Sequence, residues 1–137
     1  MSFSLPTPRV LKEIVNDVTE RMKVALSHIS TILGYDVFPP EVEADFRVKL
    51  EKKIRTIYLF NLEAPNINKD EVKKLCKEIT NLVWMKGVVP NDRVNWYVWS
   101  VNDPLGLIIR SAEIRIKLLE NQPITATELA IISNTSS

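Results

Sequence analysis

The chain of 137 residues has one cysteine, one histidine and three glycines. Cys76 alone excludes an intramolecular disulfide framework and a zinc ribbon, and His28 alone excludes a histidine-rich metal site. So few glycines exclude a glycine-rich phosphate-binding loop and allow few tight hairpins. No apolar run approaches the roughly 20 residues that a membrane span needs, and residues 1–6 do not resemble a signal peptide. We expect a soluble helical protein with no metal and no cofactor.

The composition is that of a globular chain, with 45% hydrophobic and 26% charged residues. No arrangement of reactive side chains predicts catalysis. His28 lies beside the apolar positions of the first predicted helix and is expected to be a partly buried structural residue. Cys76 lies between Leu75 and Ile79 and is expected to act as a small hydrophobe. The sequence therefore predicts that the protein is not an enzyme. Turnover abolished by Cys76→Ala or His28→Ala would contradict this prediction.

Two long helices are predicted in the N-terminal half. The first runs from Pro8 to Leu33, with Thr7 as its cap and Gly34 as its stop, and would be roughly 39 Å long. Its apolar residues alternate spacings of four and three, which is typical of a helix packed along another helix. This heptad seam comprises Leu11, Val15, Val18, Met22, Ala25, Ile29 and Ile32. The second helix is predicted from Pro40 to Phe60, after a turn.

The C-terminal half is predicted to be a compact helical bundle. Its expected helices run from Asn68 to about Gly87, from Asp103 to about Asn121 and from Thr125 to Ile132. The nine residues Arg93–Val101 could form one short helix or one strand, and a helix is favoured. Asp103–Pro104 and the Thr125/Glu128 capping box mark two of the starts. Since no strand alternation is visible, the fold class is all-α, with a two-helix arm over residues 1–62 and a bundle over residues 63–137.

Charge is unevenly distributed, although the formal net charge is only +1. Residues 47–77 hold nine basic and four acidic residues, which could form a basic stripe or simply a solvated helix face. Regularly spaced cations on long helices can contact phosphates without reading sequence. The candidates in the arm are Arg9, Lys12, Arg21, Lys23, Arg47, Lys49, Lys52, Lys53 and Arg55. A group of aromatic residues, Trp96, Tyr97 and Trp99, is more typical of a core or a subunit interface than of a surface that stacks on bases.

This organisation, with Pro8–Leu33, Pro40–Phe60 and a bundle over Asn68–Ile132, resembles the major capsid proteins of filamentous archaeal viruses. These are the rod-shaped, lipothrix-type and Pyrobaculum filamentous viruses. The resemblance implies that the arm wraps linear double-stranded DNA, held in A-form, and that the bundle forms the wall of a helical virion. It also implies self-assembly, a possible second, paralogous coat protein and, in some members, a lipid envelope.

The first hypothesis is therefore a coat protein that packages DNA without sequence specificity and resides in the virion. The subunit interface would comprise Leu11, Val15, Val18 and Met22 of the seam, with Trp96, Tyr97 and Trp99. The arm holds nine basic and eight acidic residues, so its acids are expected to face other subunits. The alternative is a small helical interaction module or regulator that does not bind nucleic acid.

Overall fold

The computed structural model describes residues 5–84 and 103–135, which are helical with no strand among them. The helices are α1 (Val10–Leu33), α2 (Pro40–Asn61), α3 (Lys69–Trp84), α4 (Pro104–Leu119) and α5 (Ala126–Thr135). This confirms the all-α prediction. The predicted helix over Arg93–Val101 lies outside the described residues.

Helix α1 ends as its sequence predicts but begins differently. Gly34 adopts φ 80°, the left-handed conformation that glycine tolerates best, and its amide donates to the Ser30 carbonyl. At the other end the capping residue is Arg9, with no side-chain hydrogen bond to the helix, so the prediction that Thr7 caps α1 is wrong. Among the described residues, the first amides donate to backbone carbonyls, those of Thr7 and Pro8.

The starts of α3 and α4 are fixed by side chains that the sequence identifies. The Asp103 carboxylate accepts from the amides of Leu105 and Gly106, at 3.0 and 3.5 Å. The Asn68 amide oxygen accepts from the amide of Asp70, at 2.7 Å, and more weakly from that of Glu71. Each of these residues satisfies amides that the helix itself leaves unpaired, which sets where α4 and α3 begin.

Helix α5 is attached through Glu128, which lies in the interior although it is charged. Thr125 and Glu128 form the predicted reciprocal capping box, with bonds of 3.0 and 3.1 Å. The Glu128 carboxylate also accepts from Arg110 and Lys117 of α4, at 3.0 and 2.9 Å. Because the Thr125 amide and then Lys117 stabilise the charged form, the pKa of Glu128 falls to about 2. The carboxylate thus holds α5 against α4.

A single hydrophobic core joins α1, α2, α3 and α4. Its largest fully buried members include Leu11, Val18, Ile54, Ile57, Val72, Ile79, Leu105, Ile108 and Ile109. Helix α2 packs against α1, α3 and α4. The core therefore runs across the predicted boundary at residue 62, where a short connection with left-handed Glu63 and Asn66 leads into α3. A smaller cluster, centred on Ile114 and Ile131, lies beneath α5.

A buried polar side chain also links two of the helices. The buried Asn61 side chain donates from Nδ2 to the Ile108 carbonyl at 2.9 Å, linking α2 to α4, while its Oδ1 has no partner among the described residues.

Within residues 5–84 and 103–135, no helix combines the length and the apolar character needed to cross a membrane.

Candidate nucleic-acid and subunit interfaces

The central predicted cations of the arm hold α1 and α2 together. The Arg47 guanidinium contacts Glu20 at 3.0 Å and Asn16 at 3.0 Å across the helix pair, and Glu43 at 3.4 Å on its own helix. Lys23 crosses in the opposite direction to Glu43, at 3.0 Å. This hydrogen bond raises the pKa of Lys23 and lowers that of Glu43. These residues form an ion-pair cluster between the helices rather than a free basic face.

Four more predicted cations also have carboxylate partners within the chain. Arg21, Lys49 and Arg55 each pair with an acid one helical turn earlier, at 2.9 to 3.2 Å. Lys53 reaches Glu78 of α3 at 2.7 Å and lowers the pKa of that carboxyl. Five of the arm's eight acids pair with the arm's own cations: Asp17, Glu20, Glu43, Asp45 and Glu51. Exposed pairs of this kind contribute only about 0–1 kcal/mol each, so phosphates could still compete for them.

Arg9, Lys12 and Lys52 differ from the other six predicted cations. All three are exposed, and among the residues that the structure describes no carboxylate oxygen lies within 4.0 Å of their nitrogens. The Tyr58 hydroxyl donates to the Pro6 carbonyl at 2.9 Å, which sets α1 and α2 antiparallel. That register places Arg9 and Lys12 alongside residues 51–55. They are the arm's cations best placed to meet a phosphate without first losing a partner.

The predicted subunit-interface residues of α1 pack inside the chain. Leu11, Val15, Val18 and Met22 are all buried, and they belong to the core that α1 shares with α2, α3 and α4. The first half of the seam is therefore an intrachain contact and presents no surface to a neighbouring subunit. The other three predicted interface residues, Trp96, Tyr97 and Trp99, lie outside the described residues.

An apolar surface does exist, further along the hairpin than predicted. We define the hairpin tip as residues 24–48, which lie between the last buried residue of α1, Met22, and the first of α2, Leu50. Ile32 is 86% exposed and Val48 67%. The tip's other exposed large apolar residues are Val24, Ile29, Leu33, Tyr35 and Val42. Seven of the eleven exposed large apolar residues in the described part of the chain lie in the tip, which makes it a candidate interface.

A groove of about 470 Å³ lies beside the tip, between α2 and α3. Phe38 and Phe46 meet edge to face on its wall, with ring centres 5.5 Å apart. Leu50, Ile79 and Leu82 also line it. The groove extends the apolar surface of the tip to the body of the protein.

The residues considered for catalysis are not assembled into a reactive site. Cys76 is buried, as expected, and desolvation raises the pKa of its thiol to about 12. His28 is exposed, not partly buried as predicted, because its position falls outside the covered part of α1. Across the described part of the chain, no group of three potential ligands could hold a metal ion.

The signal that sequence reasoning missed is the mismatch between the two long helices. Helix α1 still carries the apolar residues Ile29 and Ile32 near its end, whereas α2 begins with the acids Glu41, Glu43 and Asp45. Ile29 and Ile32 are accordingly left 38% and 86% exposed. Comparisons with known protein families, with curated proteins and with solved structures each give no match.

Proposed function

We propose that this protein is a structural coat protein that assembles with copies of itself and packages linear double-stranded DNA without sequence specificity. The observation that carries the proposal is the hairpin tip, whose exposed apolar residues are not covered by any residue that the structure describes. A helical assembly gives each subunit several neighbours and so can bury such a surface. In this proposal the projecting arm is the tip, rather than the whole of residues 1–62.

The proposed DNA contacts begin with Arg9, Lys12 and Lys52, which have no carboxylate partner among the residues that the structure describes. The six paired cations of the arm would add contacts only where phosphate replaces carboxylate. Such contacts would be non-specific and strongly salt-dependent, because binding releases counterions from the DNA. The virion, a paralogous second coat protein and a lipid envelope stay predictions that follow from the family resemblance.

Microscopy of negatively stained protein tests the assembly. We expect regular filaments with linear double-stranded DNA at low salt, and their loss as salt is added. Ile32→Ser combined with Val48→Ser should prevent filaments, since both changes remove apolar area from the tip. Leu129→Ser is the control, because Leu129 is also an exposed apolar residue but lies on α5. Filaments that survive the tip changes would contradict the proposed interface.

DNA binding is tested by measuring affinity against salt concentration. Replacing Arg9, Lys12 and Lys52 together by Gln should make the fall of log K with log salt less steep. The slope should change by about 3 at most, near 0.9 for each lost phosphate contact. The control replaces Arg21, Lys49 and Arg55 by Gln, which removes the same charge from paired positions. An equal effect of the two triple variants would show that the unpaired cations have no special role.

A second function is favoured by a specific observation. Because six of the nine proposed DNA-binding cations are paired with the chain's own carboxylates, the tip could instead serve a protein interaction module that does not bind nucleic acid. Small discrete oligomers that ignore DNA at low salt would support this function and would refute the coat-protein proposal.

A further inference from the structure

Arg115 lies near the C-terminal end of α4. It is a largely buried cation whose guanidinium lacks some of its hydrogen-bond partners. Its side chain is only 12% exposed. Neither Nε nor Nη2 has a hydrogen-bond partner among the described residues. These two nitrogens form the edge of the guanidinium that binds a carboxylate through two parallel hydrogen bonds. Buried polar groups are rarely left unpaired, so this edge indicates a missing anionic partner.

Glu63 is too distant and too exposed to fill that role. Its Oε1 lies 3.6 Å from Nη1 of Arg115, beyond hydrogen-bonding distance, and its side chain is 80% exposed. Burial lowers the pKa of Arg115, and Glu63 opposes this shift without abolishing it. Glu63 also has φ 59°, an unfavourable backbone conformation for a residue with a side chain. The cation is thus desolvated but poorly compensated.

The guanidinium borders a concave pocket with apolar walls. The pocket has a volume of about 330 Å³ and lies between the end of α2, the connection to α3, and α4. Phe60, Ile67 and Leu118 provide most of its apolar lining, together with Ala64 and Leu119. This volume is at the lower end of the range for sites that hold small molecules.

We propose that this pocket binds a small monocarboxylic acid with an apolar body. The carboxylate would replace Glu63 beside Arg115, and the apolar body would lie against Phe60, Ile67 and Leu118. Because Nε and Nη2 are shielded from solvent, the guanidinium would turn toward the pocket on binding. A free acid fits better than an acidic side chain of another subunit, since the pocket is concave and of ligand size. This inference does not depend on the proposed function.

Calorimetric titration of the full chain with octanoate and octanamide tests the pocket. The two compounds share an apolar body, but only octanoate carries a charge. We expect octanoate to bind at least about tenfold more tightly, because hydrogen bonds to charged groups are the stronger ones. Arg115→Met should abolish this preference. Equal binding of the two compounds, no binding of either, or a preference that survives Arg115→Met would overturn the proposal.

Glu63→Gln keeps the test decisive if Arg115→Met fails to fold, as circular dichroism would show. Removing the competing carboxylate should tighten octanoate binding severalfold, whereas Glu41→Gln, which removes the same charge from the hairpin tip, should not. Unchanged or weaker octanoate binding by Glu63→Gln would refute the site. Arg115-dependent dimerisation without octanoate binding would also refute it, and would assign Arg115 to a carboxylate of a second copy.

Discussion

The core shared by four helices makes a specific prediction for Ile54→Ala. Ile54 is 0% exposed and belongs to the cluster that joins α2 to α1, α3 and α4. The change removes three carbons from a site closed on all sides, so both the lost burial and the cavity contribute. Such changes typically cost about 2–5 kcal/mol, and we expect about 3 kcal/mol here. That is a large fraction of the roughly 5–15 kcal/mol by which domains are stable.

Urea unfolding followed by two signals measures this effect. Circular dichroism reports on all the helices, and α1 and α2 hold just over half of the described helical residues. Fluorescence reports on Trp84, Trp96 and Trp99, all of which follow α2 in the chain. With a slope of about 2 kcal/mol per molar urea, Ile54→Ala should lower the midpoint by about 1.5 M in both signals. Coincident transitions would show that residues 1–62 unfold together with the rest.

The control is Ile32→Ala, which removes the same atoms from a side chain that is 86% exposed. It should change the free energy of unfolding by less than about 0.5 kcal/mol. The shared core would be refuted if the wild-type chain unfolded in two separate transitions, or if Ile54→Ala shifted the dichroism signal and left the fluorescence transition in place. Either result would restore an arm that folds apart from the bundle.

Three further predictions concern buried polar groups. Asn61→Leu should change the free energy of unfolding in urea by less than about 1 kcal/mol, because it removes both a hydrogen bond and an unpaired oxygen. Asn61→Asp should lower the free energy of unfolding by about 3 kcal/mol or more, because it buries a charge. The depressed pKa of Glu128 stabilises the fold fully above about pH 4.5, and this stabilisation is lost as pH falls toward 2. Thermal melts should therefore show a smaller acid-induced loss for Glu128→Gln than for the wild type, and equal losses would contradict the role of Glu128. Cys76, with a pKa of about 12, should react with iodoacetamide at pH 8 much more slowly in the folded chain than in urea, and equal rates would show that it is accessible.

Local chemistry explains why the helices could be predicted so closely. Gly34, Asn68, Asp103 and the Thr125/Glu128 pair each satisfy backbone groups within a few residues, so their effect is visible in sequence alone. Thr7 failed as a cap because the proline-rich approach to α1 brings backbone carbonyls to the first amides instead. The apolar period likewise identified Leu11, Val15 and Val18 as contact residues, but periodicity does not distinguish a contact within the chain from one between chains.

The candidate interfaces could not be predicted as well, because they depend on which side chains meet across helices. The positions of Arg47 and Glu20 are 27 residues apart, and only the antiparallel register of α1 and α2 brings them to 3.0 Å. The same holds for Lys53 with Glu78, and for Arg115 with the pocket beside Phe60. A count of cations along the arm therefore overstated how many of them lack a carboxylate partner among the described residues.

This pairing of charges also links DNA binding to assembly in the proposed function. A phosphate that takes Arg47 from Glu20 and Glu43 gives up two ion pairs and leaves only Lys23 beside these carboxylates, which lowers the net gain from the new contact. A single subunit would therefore bind through little more than Arg9, Lys12 and Lys52, which gives weak and salt-sensitive affinity. Many subunits joined through their tips would bind the same duplex far more tightly, because each is held close to it by its neighbours. If this coupling operates, Ile32→Ser with Val48→Ser should weaken DNA binding although neither residue is charged. Unchanged DNA affinity in that variant would separate binding from assembly and refute the coupling.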